Sequence, residues 1–281
     1  MTRAGNPCRR KKGRNSVKGF RTLLLSLASS LVVTTLLVAQ SAAPPAALPF
    51  AYVSLTTLTV KPAAIPDFEN YVKRVGAGAA KIGVRPANWY TMGRGGPGFT
   101  YVVAVRFAKW SELDERPSVI EILNKAYGET EAARIQAGGR AAIESSSSVF
   151  LRVLPELSAA PSMETPLAHV RVTRVEVKGG TNSKFEVFVG RLKAAQEKAG
   201  GALPVVRYVT ALGPSNVYMA AYFFNKYAEF ETALGVPEAL RKAYGDAEAR
   251  MLEETSQSCI TNLETYVLDY RADMSRPAAA K

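Results

Sequence analysis

The sequence predicts an α+β protein in which a β-α-β-β-α-β unit occurs twice in tandem. Three observations predict it. The segment KAYGETEA at 125–132 returns as KAYGDAEA at 242–249, 117 residues further on. Apolar residues recur at a spacing of two in some segments and of three and four in others, the signatures of strands and amphipathic helices. Proline and glycine break these segments at matching places in both halves.

At the same offset, Tyr52–Ser158 lies over His169–Ser275 without a gap. VSLTTLTVK (53–61) meets VRVTRVEVK (170–178), Phe68-Glu69 meets Phe185-Glu186, Gly96-Pro97 meets Gly213-Pro214, and Tyr101 and Phe107 meet Tyr218 and Phe224. Such self-similarity marks a tandem duplication. The organisation expected is a signal peptide (1–41), a Pro/Ala-rich linker (42–50), repeat 1 (51–158), a linker (159–166), repeat 2 (167–275) and a tail (276–281).

Within repeat 1, Val, Thr and Leu predict a first strand near 51–61. Pro66 suits a helix start, and Phe68, Tyr71, Val72, Val75 and Ala79 fall on one face of a helix reaching Ile82. Strands at 87–93 and 99–108 flank RGGPG and form a hairpin. The run GRGGPG (93–98) joins strand to strand, so it lacks the strand-to-helix setting of a phosphate cradle. Pro117 and Gly128 bound the next helix, a further helix runs from Glu129 to about Ser146, and VFLRVLP (149–155) is the last strand. The four serines at 145–148 read as a polar connection. Tyr101, Val103, Val105 and Phe107 alternate with Val102 and Ala104, so both faces of the sheet need cover. This element order is the ferredoxin-like unit, and two copies placed sheet against sheet would cover each other.

The amino terminus carries eight Lys/Arg and no acid up to Arg21. An apolar stretch follows at 22–39, and then Gln-Ser-Ala-Ala. This is the pattern of a secretory signal with cleavage after Ser41, so an exported, periplasmic or extracellular protein is expected. The alternative is an uncleaved anchor. The chain has 36 basic and 24 acidic residues, a net of +12. Without the leader's eight, 28 stand against 24 for a net of +4, which gives no reason to expect a nucleic-acid partner, or a membrane partner after cleavage. Cys259 is then the only cysteine, and it reads as a buried hydrophobe at the end of a helix.

His169 is the only histidine and the only candidate for catalysis. Without neighbouring ligands it makes no ordinary metal site, and a structural role is favoured over a general base. Polar and aromatic residues embedded in strands are the candidates for a ligand pocket: Tyr52, Trp89, Tyr90, Arg106, Arg171 and Tyr208. In the ungapped comparison Trp89 and Tyr90 are answered by Val206 and Arg207. Charges at such places must be paired, solvated or face a pocket. An Arg/Tyr-lined interior would suit a carboxylate or an anionic aromatic, while Arg–Glu and Arg–Asp pairs would lock the halves together. Trp110 and Tyr227 read as packing anchors.

In element order, duplication and long second helix, the chain resembles the dimeric α/β-barrel superfamily. That group includes antibiotic-biosynthesis-type monooxygenases, muconolactone isomerases, and EthD-like and NIPSNAP-like proteins. The resemblance implies a barrel formed between two sheets, here within one chain, with a small-molecule pocket in each half. Haem-binding members use a histidine borne on a helix. No predicted helix here carries one, so no cofactor is expected. Three functions follow: an exported small-molecule binder, a cofactor-independent monooxygenase or isomerase, or a structural domain of an envelope assembly. A monomer with pseudo-twofold symmetry and a homo-oligomer both fit.

Overall fold

The computed structural model describes residues 48–85, 87–93, 99–160, 167–200 and 203–275. The segment read as a signal peptide with its expected cleavage after Ser41, most of the GRGGPG run, residues 161–166 and the tail lie outside them. The first half comprises β1 (Tyr52–Val60), α1 (Ile65–Lys81), β2 (Asn88–Met92), β3 (Thr100–Phe107), α2 (Ser111–Glu115), α3 (Val119–Tyr127), α4 (Glu129–Ala142) and β4 (Ile143–Val153). The second half comprises β5 (His169–Val177), α5 (Asn182–Ala199), β6 (Val205–Leu212), β7 (Val217–Phe224), α6 (Glu229–Thr232), α7 (Val236–Tyr244), α8 (Asp246–Cys259), β8 (Ile260–Tyr270) and α9 (Ala272–Ser275). Among the described residues, no helix is long and apolar enough to cross a membrane.

The eight strands close into one antiparallel barrel in the order β1-β3-β2-β8-β5-β7-β6-β4. Each half contributes four strands in ferredoxin-like order, β4-β1-β3-β2 and β8-β5-β7-β6. The halves meet along their edges, Tyr90 opposite Tyr270 at one seam and Leu151 opposite Thr210 at the other. The sequence suggested two sheets laid face to face; edge pairing goes further, because closure leaves no row of unpaired backbone groups.

Alternation decides which side chains point inward. Val102, Ala104 and Arg106 of β3 face the barrel interior, with Val53 and Leu55 of β1 and Val170 and Val172 of β5. Tyr101 and Val103 of β3 face the helices. The interior core draws on both halves: Val53, Tyr90 and Leu151 pack in one cluster with Val170, Tyr208 and Phe223. Leu48 and Phe50, in the segment read as a linker, pack against this cluster too.

The helices form where apolar spacing and caps permit. On α1, Phe68, Val72 and Ala79 are buried on one face. Ser118 and Glu121 form a reciprocal capping box at the start of α3, which satisfies two otherwise orphaned amides. The repeated KAYG segment ends α3 and α7 at Gly128 (φ 82°) and Gly245 (φ 81°), a backbone region open mainly to glycine.

Two expectations need correction. The serines at 145–148 are not a connection. They belong to β4, where Ser145–Ser148 pair with Thr59–Thr56 of β1, and Thr56 Oγ1 lies 2.8 Å from Ser148 Oγ. The backbone ladder with β1, helped by that hydroxyl pair, outweighs the weak strand preference of serine. The ungapped comparison also fails at β2 and β6. Tyr90 stands opposite Val102, and Tyr208, not Arg207, stands opposite Met219. The closing glycines of α1 and α5 still match, Gly83 and Gly200 both at φ 72°, so the second half carries one extra residue between Gly200 and the paired part of β6. Trp89 therefore corresponds in register to Arg207, and Tyr90 to Tyr208.

The carboxyl-terminal segment is tied to the first half. Arg271 donates to both oxygens of Glu69 on α1, at 2.5 and 2.8 Å, and to Asp273, which Lys73 approaches at 2.9 Å. Ser275 Oγ accepts from the Trp89 amide at 2.8 Å.

Candidate functional site

The candidate residues separate into three places. Tyr90, Arg106 and Tyr208 face the barrel interior, where they share a cavity of about 60 Å³ with apolar side chains. A water occupies about 30 Å³ in the liquid, so an aromatic acid does not fit. The interior is a packed core, and the expectation of a roomy Arg/Tyr-lined pocket there is corrected. The cause is that Tyr90, Tyr208, Met219 and Phe223 fill the space.

His169, Tyr52 and Arg171 lie on the outer face near one end of the barrel. His169 Nδ1 is 2.6 Å from Asp269 Oδ1, and its ring stacks on Phe224 and tilts against Tyr227. Tyr52 takes the corresponding place in the first half, against Phe107 and Trp110. A Cβ added at Gly93 would overlap the Asp269 carboxylate, so a glycine at that point leaves room for the acid. Arg171 lies over the rings of Tyr222 and Phe230, at 4.5 and 5.0 Å, and its Nε is buried without a hydrogen bond. His169 lines neither the barrel cavity nor the two cavities that follow.

Those two cavities lie between the outer face of the sheet and the helices, one in each half. The first, about 330 Å³, is walled by Phe68, Val72, Trp89, Val103 and Met274, with Arg116 also in its wall. The second, about 270 Å³, lies between β5–β8 and α5, α7 and α8. Phe185, Phe188, Leu192, Tyr218 and Ile260 contribute to it, with Arg207 in its wall. Neither lining includes an acid, a histidine or a cysteine. A haem iron would find neither an imidazole nor a thiolate in these walls. Among the described residues, no group of three potential metal ligands occurs.

Arg207 is the residue that sequence reasoning missed. It is 5 % exposed, and its guanidinium donates to the Leu157 carbonyl and, at 3.1 Å, to Gln196 Oε1. Both partners are neutral. It makes no ion pair with a described carboxylate, and Glu197, the nearest acid influence, is tied to Lys193 at 2.5 Å. Burial pulls its pKa below the ordinary arginine value, and the Tyr222 phenol opposes the shift. An arginine stays charged under these conditions. The cavity is therefore a largely apolar chamber with one fixed positive charge whose hydrogen-bond partners, Leu157 and Gln196, are neutral. Its signal in the sequence was an arginine inside the apolar run PVVRYV (204–209), hidden by the one-residue shift in register.

No family model matches the chain, and no curated protein matches it. Solved structures do. A predicted monooxygenase from Fusobacterium nucleatum is 10 % identical with a TM-score of 0.52, over 79 % of this chain and 92 % of that one. A single-substitution variant of chlorite dismutase from Candidatus Nitrospira defluvii is 8 % identical with a TM-score of 0.50, over 82 % and 95 %. At such identities the likeness is one of fold. The chain shares with them an eight-stranded antiparallel α+β barrel.

Proposed function

We propose that this protein is an exported binder of a small amphipathic anion, held in the sheet–helix cavity of the second half. The carrying observation is Arg207, a buried guanidinium with only neutral hydrogen-bond partners, in the wall of a chamber that is otherwise largely apolar. Leaving such a charge unpaired costs several kcal/mol, and a ligand carboxylate would offset that cost through charge-assisted bonds. The volume of about 270 Å³ lies just below the range of ~300–1,000 Å³ usual for ligand pockets. It favours a compact body, such as a short-chain or single-ring acid.

Export rests on the leader pattern. A tandem duplication is supported by the sequence match and by paired details, such as Tyr101 donating to Glu69 and Tyr218 to Glu186, at 2.9 and 2.8 Å. The names of the structural neighbours suggest monooxygenase chemistry as the other reading. His169, the one histidine that the sequence offers for catalysis, does not line the cavity, so binding is preferred.

Calorimetric titration with medium-chain and benzoic-type acids, each against its uncharged amide, tests the proposal. Acids should bind and amides should bind at least tenfold more weakly. R207Q should erase the difference, and V189F, which narrows the chamber, should weaken both. Equal binding of acid and amide, or no binding by either, overturns it.

A further inference from the structure

The barrel interior holds a charge that the proposed ligand site does not use. Arg106 enters from β3 between Val105 and Phe107 and turns inward. Its guanidinium carbon lies 5.0 Å from the centre of the Phe50 ring. Among the described residues it makes no ion pair and no hydrogen bond. Tyr90 from β2 and Tyr208 from β6 line the same cavity, and their phenols likewise have no hydrogen-bond partner among the described residues. Arg106 is close enough to act electrostatically on both phenols, and Tyr90 on Tyr208. The rest of the wall is apolar, with no carboxylate in it.

One small space is thus surrounded by donors and a positive charge with nothing to accept from them. A guanidinium cannot shed its proton, and Arg106, half-buried in the cavity wall, gains charge-assisted bonds from an anion on that side. The tyrosines are not that anion at neutral pH, because burial pushes both phenols above their ordinary value and keeps them protonated. The volume of about 60 Å³ admits a species of one or two waters' size, at about 30 Å³ each. We infer that the barrel interior binds one small monovalent anion, of the size of chloride, bromide, nitrate or formate, between Arg106 and Tyr90 of the first half and Tyr208 of the second. Such an anion bridges the two halves from inside, and by mass action it stabilises the closed barrel.

Thermal melting of the full chain in sodium chloride, bromide or nitrate, against sodium gluconate at equal ionic strength, tests this. Gluconate is too large for the cavity. The midpoint should rise by several degrees with each of the three small anions and saturate with their concentration. R106M should remove the dependence. Y208F, which keeps the ring and the packing, should weaken it several-fold, which keeps the test open if R106M fails to fold. Crystals soaked in bromide should give an anomalous peak inside the barrel beside Arg106. Identical melting in all four salts, or bromide peaks confined to the surface, overturns the inference.

Discussion

At the scale of single residues, the contacts predict which substitutions couple. G93A should displace the Asp269 carboxylate and break its bond to His169, for a loss of about 1–3 kcal/mol. In a D269A background the same change should cost much less, because the clash and the bond are both gone; equal costs in the two backgrounds would refute the coupling. Tyr101 and Tyr218 share a further property. Burial first, and then the bond to Glu69 or Glu186, pushes each phenol up to about 12. A raised acid favours its protonated form in the fold. The stability this brings is complete below the ordinary value of 10 and is lost as pH rises through 12. Ultraviolet titration should place Tyr101 and Tyr218 among the phenols that ionise late, and E69Q should bring Tyr101 down.

Arg207 shows what was legible in the residues and what was not. An arginine within an apolar strand was visible, but its partner and its face were not. A single extra residue between Gly200 and the paired part of β6 moves the side chains of that strand by one place, and in a strand one place is the difference between inside and outside. Tyr90, Arg106 and Tyr208 were recognised as unusual from their type and setting alone. Their convergence depends on barrel closure, which no local pattern states.

At the scale of elements, helix and strand periodicity located all eight strands and the long helices. Ends set by partners rather than by local preference were misplaced. Ser145–Ser148 look like a linker until Thr56–Thr59 stand beside them. The capping box of α3 was not apparent until Ser118 and Glu121 were seen to bond reciprocally; S118A should cost about 1 kcal/mol, measurable by urea denaturation. The short helix α9 depends on charge. Bonds from Arg271 hold Glu69 and Asp273 below the ordinary carboxylate values of 4.5 and 3.8. Groups so depressed stabilise the fold above those values, and the contribution is lost as pH falls below them. Protection of the amides at Ala272–Ser275, taken relative to their intrinsic exchange rate at each pH, should therefore fall below about pH 4.5 while the barrel strands stay protected. Uniform loss of protection would argue against a local clamp.

At the scale of the whole molecule, one core serves both halves, since Leu151 and Val153 pack in the same cluster as Val206 and Leu268. A shared core predicts cooperative unfolding. Calorimetry should give a single transition, with the calorimetric and van't Hoff enthalpies in agreement; two separable transitions would mean that the halves hold themselves up.

The two edge seams have a consequence of their own. Each partner strand is tethered to the other by the same polypeptide, so it meets its mate at an effective concentration on the order of millimolar, whatever the dilution outside. A barrel assembled from separate identical copies would place every substitution at two positions at once. Here tryptophan can stand on one wall and arginine on the matching wall, so two chambers of the same shape can suit different guests.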